Sequence, residues 1–167
     1  MTRLADILDA INRAVGAVVC WAALAMVLIQ FALVLARYVF GVSSIAANES
    51  VLYLHAAIFM LGSGYALLVG GHVRVDVFYA RASPRGRAAI DVFGHLFLLA
   101  PAMIALLVWS WPMVRRSWAI LEGPISVGGI PATYLLRSLV PAFCVLLLAQ
   151  GLACLIRDAL RLAGRET

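Results

Sequence analysis

The 167-residue chain has no lysine, only eight acidic residues and no polar segment long enough to fold into a soluble domain. Every basic side chain apart from histidine is therefore an arginine, and the 13 arginines give a net charge of +5. A basic balance can indicate nucleic-acid binding, but these arginines lie between apolar stretches, where the positive-inside rule accounts for them better. With 65% hydrophobic residues and a mean hydropathy of +1.02, the composition favours a membrane protein.

The signatures of common enzymes are also missing from the sequence. It has no Walker A pattern, no GxGxxG, no HExxH and no nucleophile elbow. Its three cysteines, Cys20, Cys144 and Cys154, form no CxxC pair and lie in apolar stretches, so we interpret them as packing residues. We therefore predict that the chain is not an enzyme and has no catalytic residue, metal site or cofactor.

Four apolar stretches are long enough to cross a membrane. They cover approximately residues 14–38, 47–70, 88–111 and 135–156. Each has about 20 residues or more, which at about 1.5 Å per residue covers a hydrocarbon core of about 30 Å. Helices satisfy their own backbone hydrogen bonds in lipid, so we predict an all-α membrane protein with four transmembrane helices in a single domain, residues 1–167.

The distribution of arginines predicts the orientation of these helices. With four crossings, the two termini and the second loop share one side, which carries nine arginines. The other side carries four: Arg37, Arg115, Arg116 and Arg137. The positive-inside rule then places both termini in the cytoplasm. Because Asp6 and Asp9 interrupt any early apolar region, we expect the first stretch to be a retained span and not a cleavable signal peptide.

Two segments next to the spans mix apolar and polar residues. Residues 3–13 place Leu4, Ile7, Leu8 and Ile11 at helical spacing, which predicts a short helix that lies on the inner leaflet or extends the first span. Docking of this segment against a partner subunit is a further interpretation that the pattern leaves open. For residues 72–82 we predict a short interfacial helix or an irregular segment along the inner face, since an isolated strand would leave its edges unpaired.

The third helix has a clear start signal. Ser83 is a good N-cap, and Pro84 suits the first helical position. A helix from there to Trp111 has about 28 residues and measures about 42 Å, so we expect it to tilt or to protrude into the cytoplasm. Pro141 is expected to end, start or kink helical structure early in the fourth span.

A few polar and small residues in the spans are candidates for contacts. Gln30 is expected to hydrogen-bond a neighbouring helix. Glu49 is expected near the start of the second helix, either as an interfacial cap or as a contact to an ion or a partner. Gly62, Ala66 and Gly70 repeat every four residues, which predicts close approach of another helix, from this chain or from another protein.

Two histidines inside the spans raise the alternative of a membrane anchor for a redox complex, with haem as a candidate ligand. From the helical rise, His55 lies about 8–12 Å below the outer boundary and His95 about 10 Å above the inner one. In a core of about 30 Å they differ in height by roughly 10 Å, whereas two axial ligands of one haem need nearly equal heights. We therefore expect ordinary interhelical hydrogen bonds for both.

Several segments together resemble the small membrane subunit of tripartite ATP-independent periplasmic (TRAP) transporters. They are residues 36–41 (ARYVFG), 48–50 (NES), 70–79 (GGHVRVDVFY) and 83–91 (SPRGRAAID), with Trp118, Glu122 and residues 129–131 (GIP). The resemblance extends over nearly the whole chain in length, span number and topology. No single motif is diagnostic of the family, and the resemblance rests on the combination of these segments.

The resemblance implies a role in transport at the bacterial inner membrane, with no nucleic acid as partner. In that family a periplasmic binding protein delivers an organic anion, and a large permease subunit carries the substrate and ion sites. The resemblance therefore implies that this chain is a non-catalytic scaffold for the large subunit. It also implies that the complex imports an organic acid, coupled to an ion. The candidate partner contacts are Arg37 and Glu49 on the outer side, Arg74 and Asp76 on the inner side, and the face formed by Gly62, Ala66 and Gly70.

Overall fold

A computed structural model describes residues 2–71 and 83–163, and all regular structure in these residues is helical. Helix α1 covers Thr2–Val39, α2 covers Ile45–Leu68 and α4 covers Thr133–Leu162. Helix α3 covers residues 84–119, with a π-helical segment at Gly94–Leu99 between its two α-helical parts. The predicted all-α class with four helices of membrane-spanning length and apolarity is confirmed.

Residues 3–13 form the first turns of α1 without a break, which is the extension of the first span that the sequence left open. Their apolar and polar faces are arranged as in a lipid-exposed helix. Leu4, Ile7 and Ile11 are exposed, while Asp9 and Asn12 are buried. The amphipathic pattern therefore directs its polar side towards the other helices and its apolar side outward.

Helix α2 begins at a capped turn, and a glycine follows its last turn. The hydroxyl of Ser44 accepts a hydrogen bond from the Ala47 amide, 3.3 Å away. After α2, Gly70 has a φ of +71°, a conformation that favours glycine. The predicted interfacial segment at residues 72–82, including Arg74 and Asp76, lies outside the described residues.

Helix α3 starts as predicted and continues further than predicted. The Ser83 hydroxyl accepts from the Gly86 amide at 3.2 Å, and Pro84 is the first helical residue. The helix then extends beyond Trp111 to Ala119, with Pro112 inside it. Pro141 likewise lies inside α4, so it neither starts nor ends this helix. Helices in lipid tolerate proline because neighbouring groups satisfy the freed carbonyls, so proline positions mark helix ends poorly here.

Helix α4 organises the bundle. It packs against α1, α2 and both parts of α3, and α1 and α2 pack against each other. Its buried side chains include Cys144, Leu147 and Ala153. Neighbouring helices run antiparallel, so the bundle has two ends. One end, called the terminal end, contains the start of α1 and the end of α4. The other end, called the loop end, contains residues 40–44 and the loop 120–132.

Two glycines of α2 lie at contacts with other helices of this chain. A Cβ on Gly62 would lie 3.3 Å from the Val19 side chain of α1. A Cβ on Gly64 would overlap Asn12 Oδ1 and would lie 3.3 Å from the Leu146 carbonyl oxygen. Gly64 therefore allows α2 to approach α1 and α4 at the same point, as small residues do in membrane helix pairs.

Candidate functional site

A buried polar cluster joins α1 to α4 near the terminal end of the bundle. It consists of Asp9, Asn12, Gln150 and Arg157, and Asn12 and Gln150 have no exposed surface. The Asn12 amide donates to Gln150 Oε1 at 2.9 Å, and the Gln150 amide donates to Asp9 Oδ1 at 3.0 Å. Arg157 donates to Asp9 Oδ2. The cluster thus connects both carboxylate oxygens of Asp9 to α4.

The charge of Asp9 is balanced by arginines of unequal exposure. The Asp9 side chain is only 4% exposed and that of Arg157 is 35% exposed. Arg13 lies 3.6 Å from the same carboxylate but is 67% exposed, so solvent and headgroups screen it. Since a buried carboxylate without a partner is strongly destabilising, Arg157 is the group that makes burial of Asp9 possible.

Only part of this cluster was predictable from the sequence. Gln150 is a polar residue inside the predicted fourth span, whereas Asp9 lies in the terminal segment outside the predicted spans. A usable signal was present, because Asp9 and Asn12 are three residues apart on the face opposite Leu4, Ile7 and Ile11. In lipid, the polar face of a helix points into the protein.

At the loop end, Glu49 binds the loop between α3 and α4. Its Oε1 accepts from the Ser126 amide at 3.0 Å, and its Oε2 accepts from the Ile130 amide at 2.8 Å. Glu49 is buried, and a Cβ on Gly129 would overlap its carboxylate. The cap of α2 is Ser44 instead. The internal contact with the loop, which involves both carboxylate oxygens, is a third role for Glu49 beside the two considered from the sequence.

Side chains at the adjoining helix ends hold the same loop. Glu122 accepts from the Ser117 hydroxyl at 2.6 Å and pairs with Arg137 of α4. The Trp118 indole donates to the Ser138 hydroxyl at 2.7 Å, and its ring meets Tyr134 edge to face. The loop is therefore anchored to α2, α3 and α4, which makes it a structured surface at this end of the molecule.

Other candidate residues have fewer internal contacts. Arg37, Arg115 and Arg116 are exposed and form no ion pair with any acid in the described ranges. The hydrogen bond expected from Gln30 to a neighbouring helix is not formed with any residue that the structure describes. Gln30 is instead exposed in a groove between α1 and α2.

The two histidines of the predicted spans lie on different helices, His55 on α2 and His95 on α3. His95 Nδ1 is 2.7 Å from the Asp91 carbonyl oxygen of its own helix, and its ring is close to Gly151 of α4. His55 is exposed on α2, with its ring centroid 5.4 Å from that of Phe59. Neither histidine forms the expected interhelical hydrogen bond with a residue in the described ranges. Residues 2–71 and 83–163 contain no group of three or more metal-ligating side chains.

Comparison with known families identifies one family model that matches this chain. The family described as tripartite ATP-independent periplasmic transporters, DctQ component, matches residues 26–161. These residues include all of α2 and α3 and nearly all of α4. No curated protein and no solved structure matches the chain. Given a match over most of its length, the chain belongs to the DctQ family, the small membrane component of tripartite ATP-independent periplasmic transporters.

Proposed function

We propose that this chain is the non-catalytic scaffold of its transporter. It holds a large permease subunit in the membrane, and that subunit imports an organic acid that a periplasmic binding protein delivers, coupled to an ion gradient. One observation carries the non-catalytic part of the proposal. Each buried carboxylate in the described ranges is bound inside the chain: Asp9 by Arg157, Glu49 by two loop amides, and Asp158 by Arg161. No such group is left to bind a substrate or a coupling ion.

We propose further that both termini are cytoplasmic and that the whole chain is one multi-pass domain of the inner membrane. The excess of arginines on the side of the termini supports this orientation. The loop end, with residues 120–132, then faces the periplasm. Its anchoring by Glu49, Glu122 and Trp118 suits a surface that meets a soluble binding protein.

The candidate contacts fall into three groups under this proposal. Arg37 is available at the periplasmic end because it has no acidic partner among the described residues. Arg74 and Asp76 are proposed for the cytoplasmic side. Gly62 packs on α1 of the same chain, so we assign the stripe that it forms with Ala66 and Gly70 to assembly of this subunit.

Deletion of this chain tests the scaffold role. Cells that retain the large subunit and the binding protein should lose import of the organic acid, and the large subunit should become depleted from the membrane. Uptake from a mixture of carboxylates and quantitative immunoblotting of membranes measure both effects, with plasmid-borne chain as control. Import at the parental level without the chain would contradict the proposal. Loss of import with a normal amount of large subunit would contradict the scaffold role specifically.

A further inference from the structure

A groove between α1 and α2 opens outward in the half of the membrane nearest the loop end. Its volume is about 720 Å³. Helix α1 contributes Gln30, Phe31 and Val34 to its lining, and α2 contributes Leu52 and His55. Most of the lining is apolar, yet the polar side chains of Gln30, Asn48 and His55 are exposed in it. The Asn48 amide donates to the Ser44 carbonyl oxygen at the start of its own helix, which leaves Gln30 and His55.

Gln30 and His55 lie at the same depth. Gln30 is nine residues before the end of α1 at Val39, and His55 is ten residues after the start of α2 at Ile45. At the helical rise, these separations are about 14 Å and about 15 Å. Both side chains are therefore well inside the hydrocarbon region, at one level of the same groove.

Neither side chain has a hydrogen-bond partner among the residues that the structure describes. His55 makes a ring contact with Phe59 only, and Gln30 makes no polar contact there. Lipid tails offer no donor or acceptor, and an amide or imidazole exposed to them is unfavourable. The contrast with the groove between α3 and α4 is informative, because that groove is lined only by apolar residues such as Leu107, Trp111 and Val145 and suits lipid tails.

An arginine lies on the same face of α1, nearer the loop end than the groove. Gln30, Val34 and Arg37 are spaced four and three residues apart, so their side chains follow one stripe of α1. Arg37 is exposed at the end of the helix and has no acid near it in the described part of the chain. A partner that covers this stripe should bring a carboxylate to the membrane boundary.

We propose that this groove is the docking site for a transmembrane helix of the large permease subunit. That helix carries a hydrogen-bonding side chain opposite Gln30 and His55. It also carries an acidic residue about two turns nearer the periplasm, opposite Arg37, since seven residues span about 10 Å along a helix. The inference rests on the proposed scaffold function and names the surface that performs it.

Photocrosslinking in the assembled complex locates this surface. Benzoylphenylalanine replaces Phe31 or Leu52 in the groove, and Phe97 on α3 serves as the matched control because Phe31 and Phe97 are both 62% exposed. We expect covalent adducts with the large subunit from positions 31 and 52, and little or none from position 97. Adducts from position 97 alone or in equal yield, or adducts at position 31 only with lipid or a second copy, would overturn the inference but not the scaffold role. Absence of adducts at all three positions, together with absence of the large subunit after purification, would overturn both.

Substitution of the two polar residues measures their contribution. Gln30→Leu and His55→Leu should each lower recovery of the large subunit with the tagged chain by about three- to thirtyfold, the usual range for an interhelical hydrogen bond. The thermal stability of the subunit purified alone should not fall, because neither side chain forms a hydrogen bond with a described residue of the chain. Trp109→Leu on the exposed face of α3 is the control, with recovery at the wild-type level. Wild-type recovery for both Gln30→Leu and His55→Leu would overturn the inference.

Discussion

Replacing Arg157 with alanine should lower the free energy of unfolding of the purified subunit by about 2–4 kcal/mol. The change leaves the Asp9 carboxylate, which is 4% exposed, without its main counter-charge. It also removes the donor to Asp9 Oδ2 and weakens the connection between α1 and α4. The value belongs in the lower part of the range for buried pairs because the Arg157 side chain is 35% exposed. Thiol labelling of Cys144, which is fully buried, reports unfolding as temperature rises.

Two further variants distinguish the effect of leaving a buried charge unpaired from the effect of removing any arginine near Asp9. Arg13→Ala removes an arginine 3.6 Å from the same carboxylate, but its side chain is 67% exposed, so the loss should stay below about 1 kcal/mol. Asp9→Asn in the Arg157→Ala background should recover most of the lost stability, because asparagine keeps the acceptor for Gln150 without the charge. Equal losses for Arg13→Ala and Arg157→Ala would contradict this account of the cluster.

Replacing Glu49 with alanine should release the loop between α3 and α4 from α2. The amides of Ser126 and Ile130 would lose their shared carboxylate, at a local cost of about 2–3 kcal/mol. Their hydrogen exchange should then accelerate by roughly 30- to 150-fold, since each 1.4 kcal/mol corresponds to a factor of about ten. Amide exchange followed by mass spectrometry of peptides from residues 120–132 measures the change.

Glu49→Gln is the matched control for this effect. Its side chain has nearly the same shape but only one acceptor oxygen, so it can keep one of the two amide bonds. Protection should fall at one of the two amides and stay near the wild-type level at the other. Exchange in Glu49→Ala as slow as in the wild type at both amides would show that the other anchors of the loop hold it without Glu49.

The sequence was sufficient to predict the helices and one of their boundaries. Long apolar runs determine helices in lipid, and the cap at Ser83 with Pro84 is a local signal. Contacts between distant parts of the chain were not predictable in this way. Glu49 meets amides 77 and 81 residues further along the chain, so no spacing in the sequence indicates which role it takes. The apolar run that predicts the third span ends near Trp111, whereas α3 continues to Ala119.

The cluster at Asp9 was missed for a different physical reason. An amphipathic segment near a membrane suggests an apolar face in the bilayer surface, and residues 3–13 fit that pattern. In the structure the segment continues α1, and its polar face is directed to Gln150 and Arg157. Gln30 shows the reverse case, because it was expected to bond within the bundle and is exposed in a groove instead.

The most direct test of the central claim is purification of the tagged chain from its native membranes in mild detergent, with mass spectrometry of the proteins that accompany it. A scaffold subunit should bring with it one much larger polytopic protein in stoichiometric amount. Recovery of the chain from these membranes without such a protein would contradict the claim. Recovery with flavin or iron–sulfur subunits and a Soret band that disappears on replacing His55 or His95 would contradict it as well, and would establish a redox anchor in its place.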